Sequence, residues 1–358
     1  MQPFLVEEYE MSLKILFIGN MNKYSESFSK SEALKAIGCD VEVISSVAVP
    51  YFPGVNGPPT FWTRITNRLR PNQDYCRVNK RLGKMVADGS MAKFDILWSD
   101  KAIVIKPITL KLAKITFPHL KLIFASGDNM AVKAFRNSFF EQSISLFDLV
   151  ITMKSGTERQ LRSMGAKYVQ YSPKSYDETW IKFLKPRQKL HDISFIGSFE
   201  TERAEAIYAL ALAGFEVNIW GNGWRKWVNK HPKMIVHQRP LYHIDMIVKI
   251  EETRINLCFL RKLANDKSTN RTFEIPACAG FMMAEYTDEQ HSFFPSRTSA
   301  IYFKTHSELI QKVQYFLANE EERDTIALMG HKVCVTSSFS YKDRCKDFIE
   351  NIWPVIKN

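Results

Sequence analysis

Long apolar runs are missing from this chain of 358 residues: none approaches the roughly 20 consecutive residues that a membrane-spanning helix needs. The opening residues, Met1 to Glu8, lack the basic end and apolar stretch of an export signal, so a cytoplasmic protein is expected. Cysteine is sparse and scattered. Cys39, Cys76, Cys258, Cys278, Cys334 and Cys345 form no Cys-x-x-Cys pair and have no histidine at zinc-ligand spacing, which predicts reduced, mostly buried thiols. With 15 glycines and 15 prolines, collagen-like and low-complexity architectures are excluded. The motif Asp-x-Asp, a carboxylate pair that holds divalent metals elsewhere, does not occur.

What remains is a globular composition, 45% hydrophobic and 24% charged, at a length that favours two domains. Lys14 to Gly19 is a short apolar run ending in glycine, the mark of a buried parallel strand feeding a loop. A helix-like stretch from Ser29 to Gly38 follows, then apolar runs at Val41–Ile44, Asp95–Trp98, Lys121–Ala125 and Leu149–Thr152. The gaps between them accommodate crossover helices such as Ile108–Ile115, so the alternation predicts a covered parallel sheet.

After a polar connection from Ser172 to Asp192 the pattern restarts. Ile193 to Ser198 repeats strand-to-glycine, and a helix is expected over Glu200–Ala213. Strands are then expected at Val217–Trp220, Met234–His237, Ile255–Phe259, Phe281–Glu285 and Ala300–Phe303. The layout is α/β, two Rossmann-like domains in series: residues 12–173 and 190–340, with a final helical stretch, 341–358, packing back on the first.

Ligands of open parallel sheets bind beyond the carboxyl ends of the strands, where loops and helix amino termini present N–H groups to anions. The loop Gly197-Ser198-Phe199-Glu200-Thr201-Glu202-Arg203 offers a close-approach glycine, a hydroxyl and a cation, a diphosphate clamp in outline, although Arg203 paired with Glu200 on a solvated face is the simpler reading. The richest segment is Asp266 to Gly280, in which Ser268, Thr269, Asn270, Arg271 and Thr272 precede Glu274 at a helix entry. A carboxylate there can accept both hydroxyls of a ribose while the polar residues hold phosphate oxygens; an N-capped helix with a solvated Glu274 fits equally.

Segments Asp192–Gly223 and Arg239–Tyr341, down to Arg271-Thr272-Phe273-Glu274-Ile275-Pro276-Ala277-Cys278, resemble the glycosyltransferase group-one-like carboxyl domain of the spore-maturation-protein CgeB family. The first half is similar to that family in Asp95–Lys101, Asp128-Asn129 and Asp148–Ser155. The resemblance implies a GT-B fold, with a facing interdomain cleft and the nucleotide-sugar site mainly on the second domain. It further implies that Glu274 binds the donor ribose and that the position eight residues earlier, here Asp266 where relatives carry another carboxylate, approaches the sugar. The nucleobase is then expected at Arg239-Pro240-Leu241-Tyr242.

Taken together, the expectation is a metal-independent transfer of a sugar from a nucleotide-sugar donor, with no cofactor. Donor contacts are expected from Gly197, Ser198, Arg203, Arg239, Tyr242, Asn270, Arg271, Thr272 and Glu274, with Arg271 and Arg203 stabilising the leaving group. Asp128 is the leading carboxylate for acceptor deprotonation, and helix capping is its competing role. The acceptor is read as a surface or spore glycan, a lipid-linked glycan or a protein. A nucleotide-sugar epimerase or hydrolase, or a silent binder of glycans or nucleotide sugars, are the alternatives. The net charge of +11 favours polyanionic neighbours without choosing among them, and the seven basic residues between Phe61 and Met85 (Arg64, Arg68, Arg70, Arg77, Lys80, Arg81, Lys84) fit first a solvated helix covering the core with one apolar stripe; peripheral contact of residues 61–85 with the inner face of an anionic membrane is the alternative, and nucleic acid is disfavoured.

Overall fold

The fold follows from two sets of short apolar strands that each need cover on both faces. A computed structural model describes residues 12–47 and 73–357. Strands β1 (Lys14–Gly19), β2 (Asp40–Ser45), β3 (Ile96–Asp100), β4 (Lys121–Ser126), β5 (Leu149–Thr152) and β6 (Val169–Tyr171) form a sheet in the order β2-β1-β3-β4-β5-β6. Strands β7 (His191–Ile196), β8 (Val217–Trp220), β9 (Met234–Val236), β10 (Thr253–Cys258), β11 (Met282–Glu285) and β12 (Ile301–Phe303) form the second, ordered β12-β11-β10-β7-β8-β9. Every pairing within these sheets is parallel. The order reverses between β1 and β3 in the first sheet and between β7 and β10 in the second. Those reversal points open a crevice at the carboxyl ends, where α/β sheets take ligands.

Burial explains the continuous apolar runs. Ile15, Leu16, Phe17 and Ile18 are all buried, and alternate members join different clusters on opposite faces of the sheet. The carboxyl-terminal stretch supplies much of one cover. Tyr341, Cys345, Phe348 and Ile356 pack with Ile15, Phe17, Trp98 and Ile123, and the Trp98 and Phe348 rings meet edge-on with centroids 4.9 Å apart. That stretch is a helix Tyr341–Asp347, a π-helical turn Phe348–Ile352 and a last helical turn Trp353–Ile356. Pro354 lacks the N–H that an unbroken α-helix would direct at Glu350, which accounts for the irregular turn.

The connection between the sheets differs from a plain polar linker. It holds a 3-10 helix, Glu178–Phe183, and Tyr176 and Trp180 are buried with Leu241 and Phe273 of the second half. Aromatic side chains placed among its polar residues gave it a core to join. The chain crosses back at Phe339 and Ser340, where the Tyr176 N–H donates to the Phe339 carbonyl at 3.4 Å and the Tyr341 N–H to the Tyr176 carbonyl at 3.0 Å. The six cysteines are free, four buried and two half-buried. Residues 61–72 of the basic stretch lie outside the described residues. Its remainder includes the helix Val78–Ala87, which buries Val78, Leu82 and Val86 and exposes Lys80, Arg81 and Lys84. Among the described residues no helix is long and apolar enough to cross a membrane.

Candidate functional site

Beyond the ends of β7 and β8, backbone meets backbone. Gly221, at φ 153°, lies against the loop after β7 so closely that a Cβ would run into the Gly197 carbonyl. The Gly197 N–H donates to the Trp220 carbonyl at 2.8 Å and the Phe199 N–H to the Asn222 carbonyl at 2.8 Å. Trp224 Nε1–H closes the arrangement on the Gly197 carbonyl at 3.0 Å. The two glycines of Gly221-Asn222-Gly223 thus fix the loop Gly197–Glu200. Arg203 anchors it from the following helix, Thr201–Leu212: its Nη1 donates to the Ser198 carbonyl at 2.9 Å while the guanidinium lies over the Phe195 ring. Burial lowers the Arg203 pKa, opposed by Glu200.

The loop after β10 leads into the helix Asn270–Ala277. Its entry is held by a capping arrangement in which the Thr269 N–H donates to the Thr272 hydroxyl at 3.0 Å. One turn on, Arg271 lies between the two strand ends. Its Nε donates to the Ile196 carbonyl at 2.9 Å and its Nη1 to the Glu274 carboxylate. Glu274 is buried, and burial raises its pKa against the pull of Arg271.

The first domain closes the other side with Gly127, Asp128 and Lys154, and the connection adds Lys174. Lys154 pairs with Asp266 across the gap, both side chains almost wholly enclosed at 4% and 2% exposure. Burial lowers the Lys154 pKa, with Lys174 adding to the effect and Asp266 opposing it. Arg261 spans the same gap, 3.1 Å from the Asp128 carboxylate and 3.4 Å from that of Glu200, and the Asn129 amide donates to the Ala264 carbonyl at 3.0 Å. Between these walls is a cavity of about 600 Å³. Its size suits a nucleotide-sized ligand. Its lining supplies cations from both domains, loop N–H groups and carboxylates, the chemistry that binds phosphates and sugar hydroxyls.

Seven of the residues expected from sequence line this cavity: Asp128, Gly197, Ser198, Arg203, Asp266, Asn270 and Arg271. Glu274 adjoins it through Arg271. Thr272 does not reach it. Fully buried, its hydroxyl donates to Gln290 Oε1 at 2.7 Å, so it caps and packs the helix. Arg239 is exposed, 3.9 Å from Asp245, and Tyr242 sits at the start of the helix His243–Glu251; neither is part of the cavity wall. Three lining cations went unread in the sequence: Lys154, Lys174 and Arg261. Lys154 and Arg261 follow the ends of β5 and β10 by two and three residues and were open to discovery as strand-end positions; Lys174 lies in the connection and is placed by its pairing with the distant Glu26. Among the described residues no group of three His, Cys, Asp or Glu side chains could hold a metal ion.

Residues 203–350 match the family described as glycosyl transferase-like. The spore protein CgeB of Bacillus subtilis (strain 168) is 22% identical over 292 residues, covering 73% of this chain and 86% of that protein. Among solved structures, the fold is similar to that of sucrose-phosphate synthase from Thermosynechococcus elongatus, with TM-score 0.64, 13% identity, and coverage of 96% and 99% of the two chains. It is also similar to Anabaena HepE in complex with UDP-glucose, with TM-score 0.61, 13% identity, and coverage of 96% and 100%.

Proposed function

We propose that this CgeB-like chain of GT-B fold, a glycosyltransferase by family and architecture, moves a sugar from a nucleotide-sugar donor on its second domain to a glycan, lipid-linked or protein acceptor on its first. No metal takes part. The observation that carries the reading is the Arg271–Glu274 pair at the mouth of the second sheet, beside a cavity whose opposite wall is the first domain. Glu274 accepts the ribose hydroxyls. Arg271, the N–H groups at the helix entry and Ser198 hold the diphosphate, and Arg203 stiffens the loop that presents Ser198. Asp266 faces the sugar, exchanging its bond to Lys154 for sugar hydroxyls.

In the transfer, the C1–O bond to the diphosphate breaks with its electron pair going to the phosphate oxygen. The acceptor oxygen forms the new C1–O bond. Its proton passes to Asp128 in an inverting reaction, or to the departing phosphate oxygen in a retaining one. Cations around the leaving group do the work a metal would do elsewhere.

The test is a thermal-shift screen with UDP, GDP, dTDP, CMP and ADP derivatives, because a ligand that binds only the folded chain raises its melting temperature. One nucleotide-sugar class should produce a shift that Glu274→Ala abolishes. A full shift in that variant refutes the ribose assignment. Sugar release from the bound donor without an acceptor, or binding without turnover across acceptors, would replace transfer by hydrolysis or by binding alone.

A further inference from the structure

An aromatic contact joins the two halves beside the donor cavity rather than in its wall. Tyr24 lies in the loop between β1 and the helix Glu26–Ala36 and stacks on His243, the first residue of the helix His243–Glu251 in the second domain. The ring centroids are 4.6 Å apart and the planes 20° from parallel. Two more rings meet the imidazole edge-on, Phe183 at 5.2 Å and Trp180 at 6.3 Å. Both belong to the connection and pack with the core of the second half. Of the three rings, only that of Tyr24 comes from the first domain.

Both partners are held in a costly backbone conformation. Tyr24 has φ 76° and His243 φ 45°, the left-handed region that residues with a side chain enter only where their surroundings dictate it. Those surroundings are visible on each side. The residue after Tyr24, Ser25, caps the next helix by accepting the Phe28 N–H at 3.2 Å, and its own N–H donates to the Asn22 carbonyl at 2.9 Å. The residue before His243, Tyr242, accepts the Asp245 N–H on its carbonyl at 3.2 Å. Each turn therefore aims one ring at the other. Stacked rings attract at centroid separations of about 4.5–7 Å, so this pair sits at the close end of the range and a parting of a few Å ends the attraction.

The buried partner is the side chain that titrates nearest neutrality. Charged groups face it from each neighbouring element among the described residues. Lys23, in the Tyr24 loop, has its amine 5.2 Å from the Tyr24 ring, and Lys182, in the connection, has its amine 5.2 Å from the Phe183 ring. Asp177 accepts from the Ser29 hydroxyl at 2.8 Å and from the Thr179 hydroxyl at 2.6 Å, and Asp245, on the same helix as His243, lies 3.9 Å from Arg239. Burial lowers the His243 pKa below its ordinary value of 6.5; Asp177 opposes this, and Lys23 and Lys182 add to it. The stacked arrangement thus favours the neutral ring. Once Tyr24 leaves, the ring regains water and its pKa returns toward 6.5, so the opened molecule takes up the proton first. Closure is favoured above that value and weakens as pH falls below it.

We propose that the Tyr24–His243 stack is a latch that holds the first domain over the donor cavity and lets go when His243 takes up a proton. Tyr24 and His243 are positioning residues: they touch each other, and through the closed arrangement they keep Lys154 and Asp128 opposite Asp266 and Arg261. Arg271 and Glu274 both lie on the second domain, so release leaves the ribose contact intact. The latch does not depend on which sugar is moved or to what. One effect works against it. An imidazolium beneath an aromatic face gains cation–π attraction, which would tighten the stack in acid. The two neighbouring ammonium groups and the lost hydration act the other way, and the experiment has an opposite result for each.

Small-angle scattering from the full chain without nucleotide reads the closure directly. Its radius of gyration, about 20 Å for a compact chain of this length, should rise reversibly by at least about 1 Å as pH falls from about 7.5 to about 5.5. Tyr24→Ala, which trims an exposed side chain, should show the larger radius at both pH values, and Tyr24→Phe should behave as the parent chain. His243→Phe keeps a ring without a titrating proton and should stay compact at both. In the chain labelled with carbon-13 histidine, the resonance that disappears in His243→Gln should titrate below 6.5, and Tyr24→Ala should move its midpoint up toward 6.5. A radius that is constant with pH, or equal to that of Tyr24→Ala at pH 7.5, overturns the proposal. So does acid expansion of His243→Phe equal to that of the parent chain, which assigns the opening to other groups. A His243 midpoint at or above 6.5 in the parent chain, or one that Tyr24→Ala leaves in place, overturns it as well, and this measurement stands whether or not His243→Phe folds.

Discussion

Lys154 and Asp266 are the most enclosed charges facing the cleft, and their energetics can be measured directly. Both side chains are 4% exposed or less, and each is the other's principal counter-charge. Removing one partner of such a pair strands the other without solvent, at a cost of about 3–5 kcal/mol. The two single substitutions should not be equal. Lys154 also feels repulsion from Lys174. Asp266→Leu therefore leaves two amines facing each other with their carboxylate gone, whereas Lys154→Met leaves one carboxylate beside Lys174. The larger loss falls on Asp266→Leu. The double variant Lys154→Met/Asp266→Leu exchanges the ions for apolar groups and should recover most of the loss, with a coupling energy of at least about 2 kcal/mol. Equilibrium urea denaturation followed by tryptophan fluorescence supplies the cycle. The hydrodynamic radius, measured in parallel, reports whether the domains part before either core melts. Single losses that add to the double within about 0.5 kcal/mol would refute the reasoning, and so would a Lys154→Met loss exceeding that of Asp266→Leu.

Three further outcomes follow from the same geometry. Gly221→Ala drives a methyl into the Gly197 carbonyl at a φ of 153°, and should cost about 3 kcal/mol or more, seen as a large fall in melting temperature or loss of soluble protein. Gly127→Ala displaces the flexible end of Lys174 instead of backbone; stability should change by less than about 1 kcal/mol while transfer falls at least tenfold, read by denaturation and by steady-state rates. Donor affinity should fall with acidity. Glu274 must be ionised to accept the ribose hydroxyls, and its pKa is raised above the ordinary value of 4.5, so binding is complete above the raised value and is lost as pH drops through it. Titration calorimetry across pH should place that loss above the ordinary carboxylate range, and Glu274→Gln should flatten the profile.

The fold was legible because parallel strands buried on both faces leave unbroken apolar runs; Leu149–Thr152 and Val217–Trp220 are strands at the expected residues. The strand β6, Val169–Tyr171, was not, since three residues around the exposed Gln170 leave no such run. Within the candidate site, Gly197, Ser198 and the Asp266–Arg271 segment were visible because each follows a strand end in one domain. Arg261, three residues past β10, carried the same strand-end signal and went unread, and Lys174 was hidden in the polar connection, with its partner Glu26 more than a hundred residues away. Thr272 failed as a phosphate contact for a local reason. A hydroxyl at the third position of a helix is readily claimed by the cap.

The return of the final helix to the first sheet has a consequence for how the molecule moves. Two segments of chain pass between the halves, and at Tyr176 and Phe339–Tyr341 they are hydrogen-bonded side by side. A pair of tethers laced together acts as one strip: it bends about a single line and resists both twisting and shear. Were the halves to part about that line, Lys174, two residues from it, would move least, while Arg261 and Lys154 would leave Asp128 and Asp266 on the opposite half. The first half cannot be excised as one uninterrupted span of sequence, since a fragment ending near residue 173 would leave Phe17 and Trp98 without the cover that Phe348 provides.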